Sequence, residues 1–152
     1  MQRKLAAVTL ATAVGAGFML DAAAQAKPEV LVKQRQAVMT LQGKYLGSMF
    51  GMAQGKIPYD ARIIQRNAAF LEALSKMPWD GFTENTKGVK SGALAAIWAE
   101  PAKFKEAQER LQNETAKLAQ ITKSGDEAAV KAQLGAIDKA CGGCHETFRE
   151  KQ

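Results

Sequence analysis

The sequence predicts an all-α fold, an antiparallel bundle of four amphipathic helices. In four long segments, apolar residues recur at spacings of three and four with polar residues between them, the pattern of helices with one buried face. No segment of useful length shows the apolar–polar alternation of a strand. The connections between the segments are short, except for one longer crossover between the second and third helices.

The first two helices are predicted from their periodicity and from the residues that flank them. The first spans residues 29 to about 54, and residues 55–58 form a turn. Asp60 suits the N-cap of the second helix, because its carboxylate can accept hydrogen bonds from the first backbone N–H groups. Pro78 should end that helix. The apolar stripes of the two helices include Met39, Leu41, Phe70, Leu71 and Met77.

The rest of the chain predicts an irregular segment and two further helices. Residues 78–92 are irregular, and residues 93–98 form a short helical turn. Pro101 suits the first turn of the third helix, which should end near Ser124 and Gly125. Asp126 caps the fourth helix. The apolar stripe of the fourth helix is formed by Val130, Leu134, Ile137, Cys141, Cys144 and Phe148.

Residues 1–26 have the pattern of a secretory signal peptide. Arg3 and Lys4 supply the positive start, residues 5–20 are uncharged and mostly apolar, and residues 24–26 fit a cleavage site between small residues. The apolar stretch is shorter than the roughly 20 residues that a spanning helix needs. We therefore expect cleavage after residue 26, leaving residues 27–152 as one exported four-helix domain with no membrane contact.

The charge of the chain argues against a nucleic-acid-binding role. The formal net charge is +6, and removal of Arg3, Lys4 and Asp21 with the signal peptide leaves 6 − 2 + 1 = +5. The lysines and arginines are spread along the chain without a basic block. Because nucleic-acid recognition needs a concentrated basic surface or a known fold signature, we expect no nucleic acid partner.

The most specific motif is a Cys-x-x-Cys-His run formed by Cys141, Cys144 and His145, which uses both cysteines and the only histidine. Such a run attaches a c-type haem: two thiols add to the vinyl groups, and the imidazole binds the iron. On a helix, the three side chains share one face. A redox disulfide would be expected within a βαβ pattern, and a zinc site needs two further ligands. The predicted bundle therefore carries one haem c, with thioether links to both cysteines.

Any second axial ligand must lie upstream of His145, because few residues follow it. No other histidine exists, so ligation by two histidines and acid–base catalysis by a distal histidine are both excluded, and we do not expect an enzyme. Methionine sulfur could bind iron, although methionine commonly fills gaps in a core. The methionines available after signal cleavage are Met39, Met49, Met52 and Met77.

Over residues 27–152 the chain resembles cytochrome c prime, a family within the class II cytochromes c. The position of the haem motif near the end of a four-helix pattern is specific to class II. One departure is that residues 82–87 lack the Gly-Pro-Gly run often found after the second helix. The resemblance is carried by Arg35-Gln36, Ile57-Pro58-Tyr59-Asp60, Pro78-Trp79, Ile97-Trp98, and Cys141 to His145 followed by Arg149.

The resemblance implies a haem within the bundle, with His145 as the proximal ligand and Met39 closing the opposite face. In this family the residue at that place crowds the iron without binding it, which leaves a five-coordinate, high-spin centre that binds NO and CO. The resemblance also implies that Arg35 and Gln36 contact a haem propionate, and that Ser91 lies near one.

Further implications concern the proximal side and the assembly. Arg149 would lie one turn beyond His145, beside the proximal pocket. Members of the family are usually homodimers formed by the first two helices. Because haem is joined to such motifs after export in bacteria, we expect the periplasm of a Gram-negative bacterium.

Two functions remain open on the sequence. The first is a haem protein that binds or scavenges NO, with Met39 as a steric gate. The second is a low-spin electron-transfer cytochrome in which the Met39 sulfur is the sixth ligand, and it requires a periplasmic redox partner. Both functions place a methionine at the same point. The similarity of the turn and tryptophan segments to the family favours the first.

Overall fold

The computed structural model describes residues 26–151, which form a bundle of four long helices with one short helix in the crossover. No strand occurs in this part of the chain, where the only β-type pairing is an isolated bridge between Ala93 and Arg149. The predicted all-α four-helix fold is confirmed. The predicted signal peptide falls almost entirely outside the described residues. The helices are α1 (Pro28–Ala53), α2 (Ala61–Leu74), α3 (Ala96–Ala99), α4 (Pro101–Ile121) and α5 (Glu127–Phe148).

The helix ends follow from local chemistry that the sequence indicates. The Asp60 carboxylate accepts hydrogen bonds from two backbone N–H groups at the start of α2, and the Asp126 carboxylate accepts one at the start of α5. Gly55 and Gly125 follow α1 and α4 with φ of 70° and 74°, a conformation that favours glycine. Helix α2 ends at Leu74, before Pro78, because tighter turn hydrogen bonds replace the helical ones.

The core is divided into two clusters along the bundle axis. The main cluster draws on all four long helices. The smaller cluster lies at the end where α1 and α4 begin and α2 and α5 end, and it contains Ile97, Phe104 and Phe148. The main cluster comprises Leu46, Met49, Met52, Ile64, Ala68, Leu71, Leu111, Leu118, Val130, Leu134 and Ile137.

Three large apolar side chains of the predicted stripes are exposed. Leu41 is 40% exposed, Phe70 is 44% exposed and Met77 is 54% exposed. On α1 the inward positions are taken by polar Arg35 and Gln42 instead. A stripe that includes these two polar residues leaves Leu41 on the outer side of the helix. The phase of the buried face on α1 therefore differs from the one that apolar residues alone indicate.

Within the described residues, none of the helices combines the length and the apolar character needed to cross a bilayer.

We expect the main core cluster to determine the stability of the bundle. Leu134 is fully buried in this cluster, so Leu134→Ala should lower the free energy of unfolding by about 2–5 kcal/mol. Urea unfolding of the haem-loaded protein, followed by circular dichroism, measures this change. The exposed Val30 provides a control, since Val30→Ala should change the free energy by less than about 0.5 kcal/mol. Equal effects of the two substitutions would contradict the assignment of the core.

Candidate haem site

Helix α5 presents the Cys-x-x-Cys-His motif on its inward face. Cys141, Cys144 and His145 are half-buried, whereas Ile137 before them and Phe148 after them are buried. Cys141 packs against the main core cluster, and Cys144 packs against the smaller one. The motif therefore lies where the two clusters meet. Neither cysteine forms a disulfide within the described residues.

On α1, the inward-facing residue Met39 is only partly covered by the rest of the protein. The buried residues of α1 recur at the spacing of one helix face. Met39 lies four residues after Arg35 and three residues before Gln42, so it falls on the same face. Met39 is nevertheless half-buried. Met49 and Met52, in contrast, are buried in the main core, and Met77 is exposed. Of the predicted sulfur donors, only Met39 combines an inward position with incomplete burial.

The half-buried positions on α1 and α5 belong to a pair of helices that contact each other little. Helix α1 packs closely on α2, and α4 packs closely on α5, but direct contact between α1 and α5 is sparse. Core positions in a closed bundle are normally filled to high density. We infer that a large planar group can lie in the region between Met39 on α1 and Cys141, Cys144 and His145 on α5, here called the cleft.

Arg35 is held beside the smaller core cluster by the crossover segment. Its Nη1 donates to the Gly81 carbonyl oxygen at 2.6 Å and to Thr86 Oγ1 at 3.2 Å, and its Nη2 donates to Ser91 Oγ at 3.0 Å. The guanidinium carbon lies 4.1 Å from the centre of the Phe82 ring. The structure thus brings together Arg35 and Ser91, two of the residues that sequence analysis selected.

The guanidinium of Arg35 has no carboxylate partner among the described residues. The side chain is only 3% exposed, and burial lowers its pKa. All ion pairs in the described part join other residues. A buried cation without an anion is unfavourable, so an anionic group should complete this site. A propionate of haem is a carboxylate and fits this requirement.

His145 and Arg149 adjoin each other at the end of α5. The Arg149 backbone N–H donates to the His145 carbonyl oxygen at 3.1 Å, and the Glu150 N–H donates to the Gly92 carbonyl oxygen at 2.9 Å. Burial, and then the positive charge of Arg149, lower the pKa of His145. Both effects favour the neutral imidazole, which is the form that binds a metal.

The two thiols add no negative charge to the cleft near neutral pH. Burial raises the pKa of Cys141 to about 11, with smaller contributions from Asp138 and Cys144. Burial also raises the pKa of Cys144. Neutral thiols, a neutral imidazole and the buried Arg35 cation without a carboxylate partner match a group with an apolar ring and a carboxylate edge.

Gln36 lies apart from these contacts. It is exposed, and its side chain makes no hydrogen bond within the described part of the chain. Its predicted contact with a propionate stays a prediction. Sequence analysis missed the contacts that Gly81, Phe82 and Thr86 make with Arg35. The sequence did carry an indication of these contacts. Arg35 lies three residues after Val32 on the inward stripe of α1, and a buried arginine needs hydrogen-bond partners elsewhere in the chain.

Comparison with known proteins gives a consistent result. The family model described as Cytochrome C' matches residues 30–149. The cytochrome c' of Halomonas halodenitrificans is 42% identical over 130 residues, which cover 82% of this chain and 98% of the relative.

Solved structures of the same family are similar over the same region. The crystal structure of cytochrome c' from Rubrivivax gelatinosus has 38% identity and a TM-score of 0.79, covering 82% of this chain and 98% of that one. The nitric oxide complex of a variant of cytochrome c prime from Alcaligenes xylosoxidans has 36% identity and a TM-score of 0.78, covering 83% and 98%.

The cofactor follows from the family and from the motif on α5. Haem c is the cofactor of this family, and Cys141 and Cys144 form the Cys-x-x-Cys-His motif to which it is attached. The family match, the identity to relatives and the shared bundle fold all agree. The chain therefore belongs to the cytochrome c' family.

Proposed function

We propose that this protein is a periplasmic haem protein with a five-coordinate, high-spin iron that binds NO and CO. The observation that carries the proposal is Met39, an apolar, half-buried side chain on the inward stripe of α1, across the cleft from the motif on α5. The comparisons add support, because the similar solved structures include a nitric oxide complex and a carbon monoxide complex of cytochrome c prime.

Each side chain of the proposed site has a distinct role. Haem, when bound, would supply an iron able to take a small diatomic ligand. Cys141 and Cys144 anchor the porphyrin to α5, and a nitrogen of His145 holds the iron. Met39 restricts the opposite side to small uncharged ligands, because its side chain is apolar and offers no hydrogen bond donor to water or anions.

The polar side chains bind the carboxylate edge of the cofactor. Arg35 donates to a propionate, which supplies the anion that the buried guanidinium lacks. Ser91 and Gln36 lie near the same carboxylate, and Arg149 lies beside the proximal pocket. In this arrangement the crossover segment holds Arg35 by hydrogen bonds, and Arg35 in turn binds the cofactor.

The proposed location and boundaries rest on the N-terminal sequence. Residues 1–26 act as a secretory signal peptide, and residues 27–152 form a single cytochrome domain in the periplasm. Binding of gas ligands, rather than turnover, is the proposed activity, because the only histidine is committed to the iron. Electron exchange with a periplasmic partner accompanies this activity.

The exposed apolar face of α1 and α2 supports a proposed homodimer. Leu41 and Tyr45 are four residues apart on one face of α1, and the Phe70 ring centre lies 5.1 Å from that of Tyr45. Adjacent exposed apolar residues of this kind mark interaction surfaces. We propose that a second copy of the chain covers this face, here called the Leu41/Tyr45/Phe70 face.

The state of the iron is tested by the visible spectrum of the ferrous protein before and after addition of CO. We expect broad, unsplit high-spin bands that change on CO binding. Met39→Leu provides the matched variant, because it keeps an apolar side chain of similar size and removes the sulfur. The variant should give the same spectrum as the parent. Sharp low-spin bands that become high-spin only in Met39→Leu would instead establish Met39 as the sixth ligand and an electron-transfer function.

The attachment of the cofactor is tested by extraction with acidified acetone. The protein should retain its haem, Cys141→Ala and Cys144→Ala should each keep one thioether, and the double variant should release its haem completely. Gly143→Ala is the control, since an added Cβ at this glycine meets no atom within 4 Å. Release of haem from the unaltered protein would contradict covalent attachment.

The dimer is tested by the molar mass in solution, measured by light scattering after size-exclusion chromatography. Phe70→Glu places a charge on the Leu41/Tyr45/Phe70 face and should weaken association by about 2 kcal/mol or more, giving monomers. Ile57→Glu is the control, because Ile57 is equally exposed but lies in the turn after α1. A monomeric parent protein, or dissociation caused equally by both substitutions, would refute this interface.

A further inference from the structure

We propose that Thr86 is a positioning residue for Arg35, and that it orients the guanidinium toward the haem propionate. This inference rests on the proposed function, in which Arg35 binds a propionate. Thr86 itself lies in the crossover, within the segment 82–87 in which the sequence departs from the usual pattern of the family.

Thr86 is fully buried, and every interaction of its hydroxyl is directed to Arg35 or to the crossover that holds Arg35. Its Oγ1 accepts a hydrogen bond from Arg35 Nη1 at 3.2 Å and donates to the Thr83 carbonyl oxygen at 2.7 Å, with the Gly81 carbonyl oxygen as a longer second acceptor at 3.3 Å. The Thr86 backbone N–H also donates to the Thr83 carbonyl oxygen, which closes a short turn at residues 84–86. The hydroxyl proton is therefore directed at carbonyl oxygens of the crossover, and a lone pair is left for the guanidinium.

Gly81 and Phe82 confine the guanidinium further. The Gly81 carbonyl oxygen accepts from Nη1 at 2.6 Å, and the Phe82 ring lies against the guanidinium plane. A Cβ on Gly81 would lie 3.0 Å from the Leu31 carbonyl oxygen and 3.1 Å from Arg35 Cβ. The crossover can therefore approach α1 this closely only with glycine at this position.

After its hydrogen bonds to the crossover, the guanidinium of Arg35 has two N–H donors that remain unused. Arg35 has five N–H donors, and the bonds to Gly81, Thr86 and Ser91 use three of them. One donor on Nε and one on Nη2 remain. No buried side-chain nitrogen or oxygen in the described residues lacks a partner, so Nε is accessible rather than enclosed.

Two donors on neighbouring nitrogens match the two oxygens of a carboxylate. Both Nη1 donors are already bonded to the crossover, so the guanidinium cannot rotate without breaking those bonds. Removal of the Thr86 hydroxyl frees one Nη1 donor and allows the guanidinium to turn away from the propionate. We therefore expect a loss of preorganised propionate binding without a loss of the fold.

The test uses the haem-loaded protein and the propionate bending band in its resonance Raman spectrum, which reports hydrogen bonding to the propionates. Arg35→Met should shift this band, and Thr86→Val should shift it in the same direction by at least a third as much. Thr86→Ser, which keeps the hydroxyl, should restore the position of the parent band. Thr40→Val is the control: Thr40 is an exposed threonine of α1 whose hydroxyl bonds the Gln36 carbonyl oxygen. It should leave the band unchanged.

The outcomes separate this inference from the function on which it rests. A shift in Arg35→Met with none in Thr86→Val would overturn the role of Thr86 and leave the propionate contact intact. The same holds if Thr86→Val lowers only the melting temperature. No shift in Arg35→Met would show instead that Arg35 does not bind the propionate. If Thr86→Val does not yield folded protein, Thr86→Cys keeps the size, replaces the hydroxyl by a poor acceptor and is read in the same way.

Discussion

The sparse contact between α1 and α5 is the constraint on which the rest of this structure depends. A four-helix bundle is most stable when its inward stripes meet, and the main cluster around Leu134 and Leu118 achieves this. Nearer the end of α5, Met39 and Cys144 occupy inward positions but are only half-buried. A large apolar ring in the cleft would make the van der Waals contacts that these residues lack. Binding of the cofactor would therefore stabilise the fold.

The crossover between α2 and α4 holds Arg35 in place rather than merely connecting two helices. Its short turns place a backbone carbonyl, a threonine hydroxyl and a serine hydroxyl around Arg35. These neutral acceptors offset part of the cost of burying a guanidinium, but they supply no opposite charge. The cation is thus oriented before any anion binds, which lowers the entropic cost of binding a carboxylate there.

The sequence was sufficient for the helices and for the haem motif, because both depend on local information. Spacing of apolar residues located the four helices, and Asp60 and Asp126 marked two of their starts. The phase of the buried face on α1 could not be predicted in this way, because polar Arg35 and Gln42 are buried while Leu41 is exposed.

The surroundings of Arg35 could not be predicted either. Its contacts with Gly81, Thr86 and Ser91 span 46 to 56 residues of sequence, and the segment that provides them has no periodicity. Resemblance selected Arg35 and Ser91 separately, and the structure shows that they are hydrogen-bonded to each other. Their roles toward the haem, like those of Gln36 and Arg149, stay predictions.

The most direct test of the central claim is the position of the porphyrin in a crystal structure of the haem-loaded ferric protein. We predict that the ring lies between α1 and α5, in van der Waals contact with Met39 and with the Met39 sulfur not bonded to iron. A propionate should be hydrogen-bonded to Arg35. A porphyrin on the outer side of α5, out of contact with both Met39 and Arg35, would contradict this account.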